Sequence, residues 1–186
     1  MQDITGKIAL ITGATAGIGK ATAIELAKKG CKVIICGRRK ERLEKLSQQI
    51  HKDHKRDTYI LSFDIRDKNE VKSAINSLPA EWQNIDILIS NAGGAHGVDK
   101  MQEAKLDNWE TMIDTNVKGL LYVTHAILPG MVQRNKGDLV HIGSIAGHEV
   151  YPGGNIYCAT KHAVNAITKG LRIDLVDTNI RVSSVD

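Results

Sequence analysis

The sequence predicts a doubly wound α/β fold, a parallel sheet with helices packed on both faces. Three observations carry that reading. Six short, apolar and largely β-branched runs recur along the 186 residues. Segments with helical spacing of apolar residues separate them. A glycine-rich turn joins the first run to the segment after it. Runs that are apolar on both faces belong to parallel sheets covered on both sides. Right-handed crossovers then place ligands at the carboxyl ends of the strands.

The elements follow in order. KIALI (residues 7–11) is the first strand, and it runs through TGATAGIGKA into a helix over about 18–29. KVIIC (32–36) is the second strand. The basic run that follows has Glu41 four residues before Lys45 and a stripe of Leu43, Leu46 and Ile50, which describes a solvated amphipathic helix over 40–52 rather than a nucleic-acid patch. TYILSF (58–63) is the third strand, followed by a helix over 68–78 that Asp67 and Glu70 open as a capping box. IDILIS (85–90) is the fourth strand, and a long helix over 109–134 has Asp107 with Glu110 as its cap. DLVHIG (138–143), a helix over 156–177 and IRVSSV (180–185) complete the pattern. No repeat, low-complexity tract or Pro/Gly linker interrupts it, so residues 1–186 read as a single domain.

Composition narrows the function classes. The chain is 42% hydrophobic and 25% charged, which fits neither a disordered nor a membrane protein. A net charge of +4 is too mild to imply a nucleic-acid partner. No basic stretch followed by an apolar one opens the sequence, and Cys31, Cys36 and Cys158 form no CxxC pair, so buried free thiols in a cytoplasmic protein are expected. His51, Asp53, His54 and Asp57 lie where a charged helix ends and read as solvated surface, with no metal site. His96, His141, His148 and His162 are expected in structural or surface roles, although His96 or His148 could line a substrate pocket. Trp82 and Trp109 read as packing residues.

Chemistry concentrates in three places. In the first turn, Gly13 suits a tight bend, while Gly17 and Gly19 let backbone N–H groups and a helix N-terminus approach a pyrophosphate. The spacing departs from GxGxxG, but strand, glycines and helix stand in the right order. At the end of the second strand, Gly37 stands where an acidic residue would bind a free 2′-hydroxyl, and Arg38 and Arg39 follow. Planar guanidiniums suit a 2′-phosphate, which points to NADP(H). Finally, Tyr157 and Lys161 sit four apart at the start of a helix and so share a face. Oxidising an alcohol needs a base for the hydroxyl proton. An unassisted phenol, with a pKa of about 10, is a poor one near neutrality, and a lysine ammonium one turn away favours the phenolate.

Together these pieces resemble the short-chain dehydrogenase/reductase family. Its TGxxxGIG motif is similar to Thr12-Gly13-Ala14-Thr15-Ala16-Gly17-Ile18-Gly19. The acid closing its third strand matches Asp64, its NAG motif Asn91-Ala92-Gly93, its active-site asparagine Asn116, its serine Ser144 and its YxxxK pair Tyr157 and Lys161. The resemblance implies a Rossmann fold and a cofactor site made by Gly13, Thr15, Gly17, Ile18, Gly19, Arg38, Arg39, Asp64, Asn91, Ala92, Gly93, Tyr157 and Lys161. It implies that Ser144 steadies the substrate oxygen, Tyr157 transfers the proton, Lys161 assists it and binds the nicotinamide ribose, and Asn116 extends the proton relay through water. The stretches SLPAEWQNIDILISNAGG and NWETMIDTNVKGLLYVTHAILPGMVQRN look like the subgroup acting with NADP on short 3-hydroxy acids, L-serine among them, or on the corresponding semialdehydes. A reductase of 3-oxoacyl or other carbonyl substrates and a catalytically inert NADP-binding module are the alternatives. The resemblance further implies a homodimer or homotetramer. Family members continue past the sixth strand with a substrate-covering segment, another helix and a seventh strand. Their absence before Asp186 makes the expectation a C-terminally incomplete domain.

Overall fold

The six apolar runs become strands: β1 (Ile8–Ile11), β2 (Lys32–Cys36), β3 (Thr58–Leu61), β4 (Ile87–Ser90), β5 (Gly137–Ile142) and β6 (Ile180–Val185). The structure, a computed structural model, describes residues 3–186. All strand pairs are parallel, in the order β3-β2-β1-β4-β5-β6. The winding reverses between β1 and β4, where Leu10 lies beside Leu88. That reversal opens a crevice above the strand ends.

Helices α1 (Gly17–Lys28), α2 (Lys40–His54), α3 (Lys68–Asn76), α4 (Ala80–Gln83), α5 (Leu106–Ile113), α6 (Leu120–Gln133) and α7 (Asn155–Asp174) connect the strands. On one sheet face, Ala9, Ile11, Val33 and Ile35 pack with Ala23 and Ala27 of α1 and with Leu43, Leu46 and Ile50 of α2. The small alanines bring α1 close to the strands. On the other face, Leu10, Ile34, Leu88 and Leu139 meet Val71 of α3 and Val123, Ile127 and Met131 of α6. Each large side chain buried this way contributes roughly 1.5–3 kcal/mol before its entropy cost.

The structure departs from the sequence expectations in five places. The sheet is covered on both faces only over its centre: β5 and β6 alternate, and Arg181, Ser183 and Val185 are exposed because no described helix lies over that face. The second capping box does not form. The helix begins after Lys105, without a side-chain cap, and Asp107 sits in its first turn, where it complements the helix dipole instead. The first box forms in half: Asp67 accepts from the N–H groups of Asn69 (2.7 Å) and Glu70 (3.2 Å), while Glu70 Oε2 reaches Asp64 N at 2.9 Å rather than the cap residue. The expected helix over 109–134 is broken by a π-helical segment at Asp114–Gly119, at whose centre Asn116 lies. Such segments reset the helix face and are frequent at functional sites. The short α4 and a 3₁₀ turn at Ile145–Gly147 are additional to the predicted elements.

His141 is wholly buried between β5 and α7. Thr168 Oγ1 donates its proton to Val164 O (2.7 Å) and so accepts from His141 Nδ1 at 2.8 Å. That fixes the neutral ring with its proton on Nδ1. Burial, helped by the Arg172 charge, lowers the pKa to about 4, against about 6.5 in an unfolded chain. The unfolded chain therefore holds this proton more tightly. The stability His141 provides is complete above about pH 6.5 and is lost as the pH falls toward about 4. Denaturant titrations at pH 7 and pH 4.5 are expected to differ by about 2–3 kcal/mol from this residue, a loss that His141→Gln removes.

Candidate active site

The crevice above β1 and β4 is shaped by backbone. Gly13 and Gly17 adopt positive φ, +67° and +55°. A Cβ at Gly19 would collide with the Gly13 carbonyl and the Asn91 amide, whereas one at Gly17 would meet nothing and would project into the open cradle. α1 starts at Gly17 with no side-chain cap and no acid in its first turn, leaving its N–H groups for an anion. The loop is braced from beneath. Thr12 Oγ1 accepts from the N–H groups of Asn91 (3.0 Å) and Ala92 (2.9 Å), and Asn91 Nδ2 donates to Thr12 O at 2.8 Å. Asn91 thus ties the end of β4 to the end of β1, and Gly93 leaves room for the Asn116 carbonyl oxygen, which a Cβ would approach to 2.9 Å. Ile18 is exposed in the first turn of α1.

At the end of β2, Gly37 is a steric requirement: a Cβ there would stand 2.8 Å from Thr15 Cγ2. Arg39 donates to Thr15 Oγ1, joining the start of α2 to the glycine loop. Arg38 reaches outward, its side chain 66% exposed and its Nη1 3.7 Å from Asp64 Oδ2. Asp64 is chelated by Arg66, through Nε at 2.9 Å and Nη2 at 2.6 Å. Burial alone would raise the Asp64 pKa. The hydrogen bonds and charge of Arg66, with the charge of Arg38, hold it below the usual carboxylate range. Arg66 was not foreseen; its spacing from Asp64 was the only signal in the sequence. These residues fit an NADP-type cofactor: open glycines and an uncapped helix for its pyrophosphate, and an outward guanidinium for a further phosphate.

Across the crevice, α7 presents Tyr157 and Lys161 from one face, as the spacing predicts. Lys161 is 7% exposed, donates to Ile142 O at 2.8 Å and lies 5.9 Å from the centroid of the half-buried Tyr157 ring. Burial lowers its pKa, and the charge of Asp186 opposes that shift. Ser144 stands in extended conformation after β5 and opens the 3₁₀ turn, its Oγ accepting from Ala146 N at 3.1 Å. That bond uses a lone pair and leaves the hydroxyl proton to donate. Asn116 accepts from Gly94 N (2.9 Å) and donates to Gly94 O (3.0 Å) and Thr160 Oγ1 (3.0 Å). Its side chain therefore makes no direct bond to Lys161. Thr160, which sequence reasoning missed, takes the Asn116 bond and donates to Tyr157 O at 2.8 Å.

His96 does line a crevice beside Tyr157, with Asn108, Trp109, Met112 and Asn155. Trp109, half-buried on α5, packs toward α7 and forms part of the crevice wall. Trp82 packs as expected, buried with Tyr59 at 5.6 Å and Lys32 Nζ 4.3 Å over its ring. His51 and Asp57 lie 3.8 Å apart on the surface. All three cysteines are free and buried. Among the described residues, no helix is long and apolar enough to cross a membrane.

Comparison with known proteins agrees with this geometry. The short chain dehydrogenase family pattern matches residues 7–186. The NADP-dependent 3-hydroxy acid dehydrogenase YdfG of Escherichia coli K12 is 47% identical over 179 residues, covering 96% of this chain and 71% of that protein. The NADP-dependent 3-hydroxy acid dehydrogenase of Schizosaccharomyces pombe is 43% identical over 187 residues, covering 100% and 72%. Among solved structures, the closed form of serine dehydrogenase complexed with NADP+ superposes with a TM-score of 0.91 at 48% identity, covering 95% of this chain and 70% of that one. The chain belongs to the short chain dehydrogenase family.

Proposed function

We propose that the chain is an NADP-dependent oxidoreductase acting on a short 3-hydroxy acid of the serine type or the corresponding semialdehyde or ketone. The observation that carries the chemistry is Tyr157 beside a buried Lys161, with Ser144 at the end of the neighbouring strand. The names of the relatives support the substrate class, and the outward Arg38 supports NADP over NAD. When bound, the nicotinamide supplies the hydride acceptor or donor.

The residues do the rest. In the oxidising direction Ser144 donates a hydrogen bond to the substrate oxygen and Tyr157 takes its proton. The Lys161 ammonium, little screened by water, stabilises the negative charge that develops. Burial also makes Lys161 a readier proton donor than a surface lysine, and water between Lys161 and Asn116 would extend the relay outward. In the reducing direction Tyr157 acts as the acid. Residues 1–186 serve as one NADP-binding unit, and the free thiols support a cytoplasmic setting. A homodimer or homotetramer is supported by exposed Leu121 and Val132, about three turns apart on one face of α6.

Tyr157→Phe is expected to lower kcat with L-serine and related 3-hydroxy acids by about 10²–10⁴-fold while NADPH binding, followed by fluorescence, is retained; near-normal turnover excludes the mechanism. Arg38→Asp is expected to reduce the ratio of kcat/KM for NADP over NAD by at least about tenfold, the loss of one charge-assisted hydrogen bond. An unchanged ratio excludes the role of Arg38. Light scattering is expected to give the mass of a dimer or tetramer, shifted toward the monomer by Leu121→Glu.

A further inference from the structure

The turn that carries Ser144 is gripped by groups that the proposed chemistry leaves unused. Tyr157, Lys161 and Asn165 follow one another at four-residue intervals on α7, so Asn165 continues the catalytic face by one turn. Its Nδ2 donates to Gly147 O at 3.4 Å, which fixes the orientation of the amide, and the same group lies 3.4 Å from His148 Nδ1. His148 Nδ1 is therefore the acceptor, and the ring proton sits on Nε2. That nitrogen faces Asp186 Oδ2 at 3.2 Å, to which Ser184 Oγ also donates at 3.3 Å.

The Asp186 carboxylate closes the circuit on the catalytic serine. Burial would raise its pKa, but the bonds from His148 and Ser184 and the backbone N–H of Ser144 keep it below the usual carboxylate range. Its Oδ1 occupies the space a side chain at Gly143 would need, and Gly143 N donates to Val185 O at 2.8 Å. On the opposite side, a Cβ at Gly147 would come within 2.9 Å of Lys161 O. The segment 143–147 is thus pressed between the end of β6 and the catalytic helix, and one imidazole spans the two.

We infer that His148, held between Asn165 and Asp186, is a positioning residue that fixes Ser144 relative to Tyr157 for proton transfer. Ser144 itself is the group that meets substrate; His148 acts through Asp186 and the Ser144 backbone. Proton transfer between heavy atoms depends steeply on such placement. The inference rests on the proposed oxidoreductase reading, and the test separates the two.

Kinetics with L-serine and NADP are compared for the wild type, His148→Ala, His148→Gln and the pair His148→Ala/Asp186→Ala. His148→Ala is expected to lower kcat about tenfold with KM for NADP unchanged. His148→Gln, whose amide still donates toward Asp186, recovers most of that loss, and the double variant falls at least as far as His148→Ala because Asp186 also holds the Ser144 backbone and faces Lys161. A kcat within twofold of wild type in His148→Ala overturns the inference, as does a loss that Gln leaves unrecovered or that is matched in NADPH affinity. If the wild type turns over none of the 3-hydroxy acids, the proposed function fails, and ¹⁵N spectra of His148 decide the positioning role alone. At about pH 8, where an ordinary histidine is neutral, a proton on Nε2 whose resonance moves in Asp186→Asn supports it. A proton on Nδ1, or no response to Asp186→Asn, overturns it.

Discussion

A lysine ammonium almost wholly removed from water is the constraint on which the rest of this architecture depends. Desolvating such a charge costs several kcal/mol, and among the hydrogen bonds of Lys161 the fold supplies one backbone carbonyl, that of Ile142, to offset it. Reaching that carbonyl requires α7 to lie close against the end of β5. A glycine at position 147 makes the approach possible, and Asp186 adds a negative charge at the end of β6. The same closeness packs the helix that carries Tyr157 against the turn that Ser144 opens. The cost in stability and the reactivity of the site therefore come from a single packing arrangement.

The opposite half of the crevice is built on the contrary plan, with backbone rather than charge. Thr12 and Asn91 lock the ends of two adjacent strands together through four polar atoms, so the glycine loop rests on a rigid floor although its own residues are small. Pre-organised N–H groups of this kind bind an anion without first being ordered. The floor and the catalytic wall share one member: Asn116 fastens Gly94, just beyond the NAG turn, to Thr160 beside Lys161.

Much of this was legible in the sequence because it follows from local periodicity. Alternation of apolar runs and helical segments located all six strands to within a few residues, and the four-residue spacing of Tyr157 and Lys161 placed them on one face. What was hidden depends on geometry that no local pattern encodes. The π segment that presents Asn116 ends at Gly119, which lies so close to Ile65 that a Cβ would strike its side chain, a tertiary contact that no local pattern shows. Asp107 looked like a cap because spacing alone defines a capping box, yet the helix began two residues earlier. Thr160 and Arg66 are ordinary residues whose meaning comes from what the fold brings to them: the Asn116 amide in one case, the Asp64 carboxylate in the other. The half-open face over β5 and β6 was invisible for the same reason, since the sequence shows a strand's apolar residues and not which helix will cover them.

The contact between Gly37 and Thr15 carries a consequence for how such a protein changes its cofactor. An acid at position 37 is the obvious way to bind a free ribose hydroxyl, but its Cβ would press on the threonine methyl of the neighbouring loop. That loop is held by Arg39, which is itself part of the basic pair. A side chain at position 37 would thus compete for space with the methyl of Thr15, while the hydroxyl of the same residue holds Arg39. Serine at 15, which lacks the methyl and keeps the hydroxyl, is the exchange that would open room at 37 and still hold the arginine, so positions 15, 37 and 39 are coupled through a single side chain.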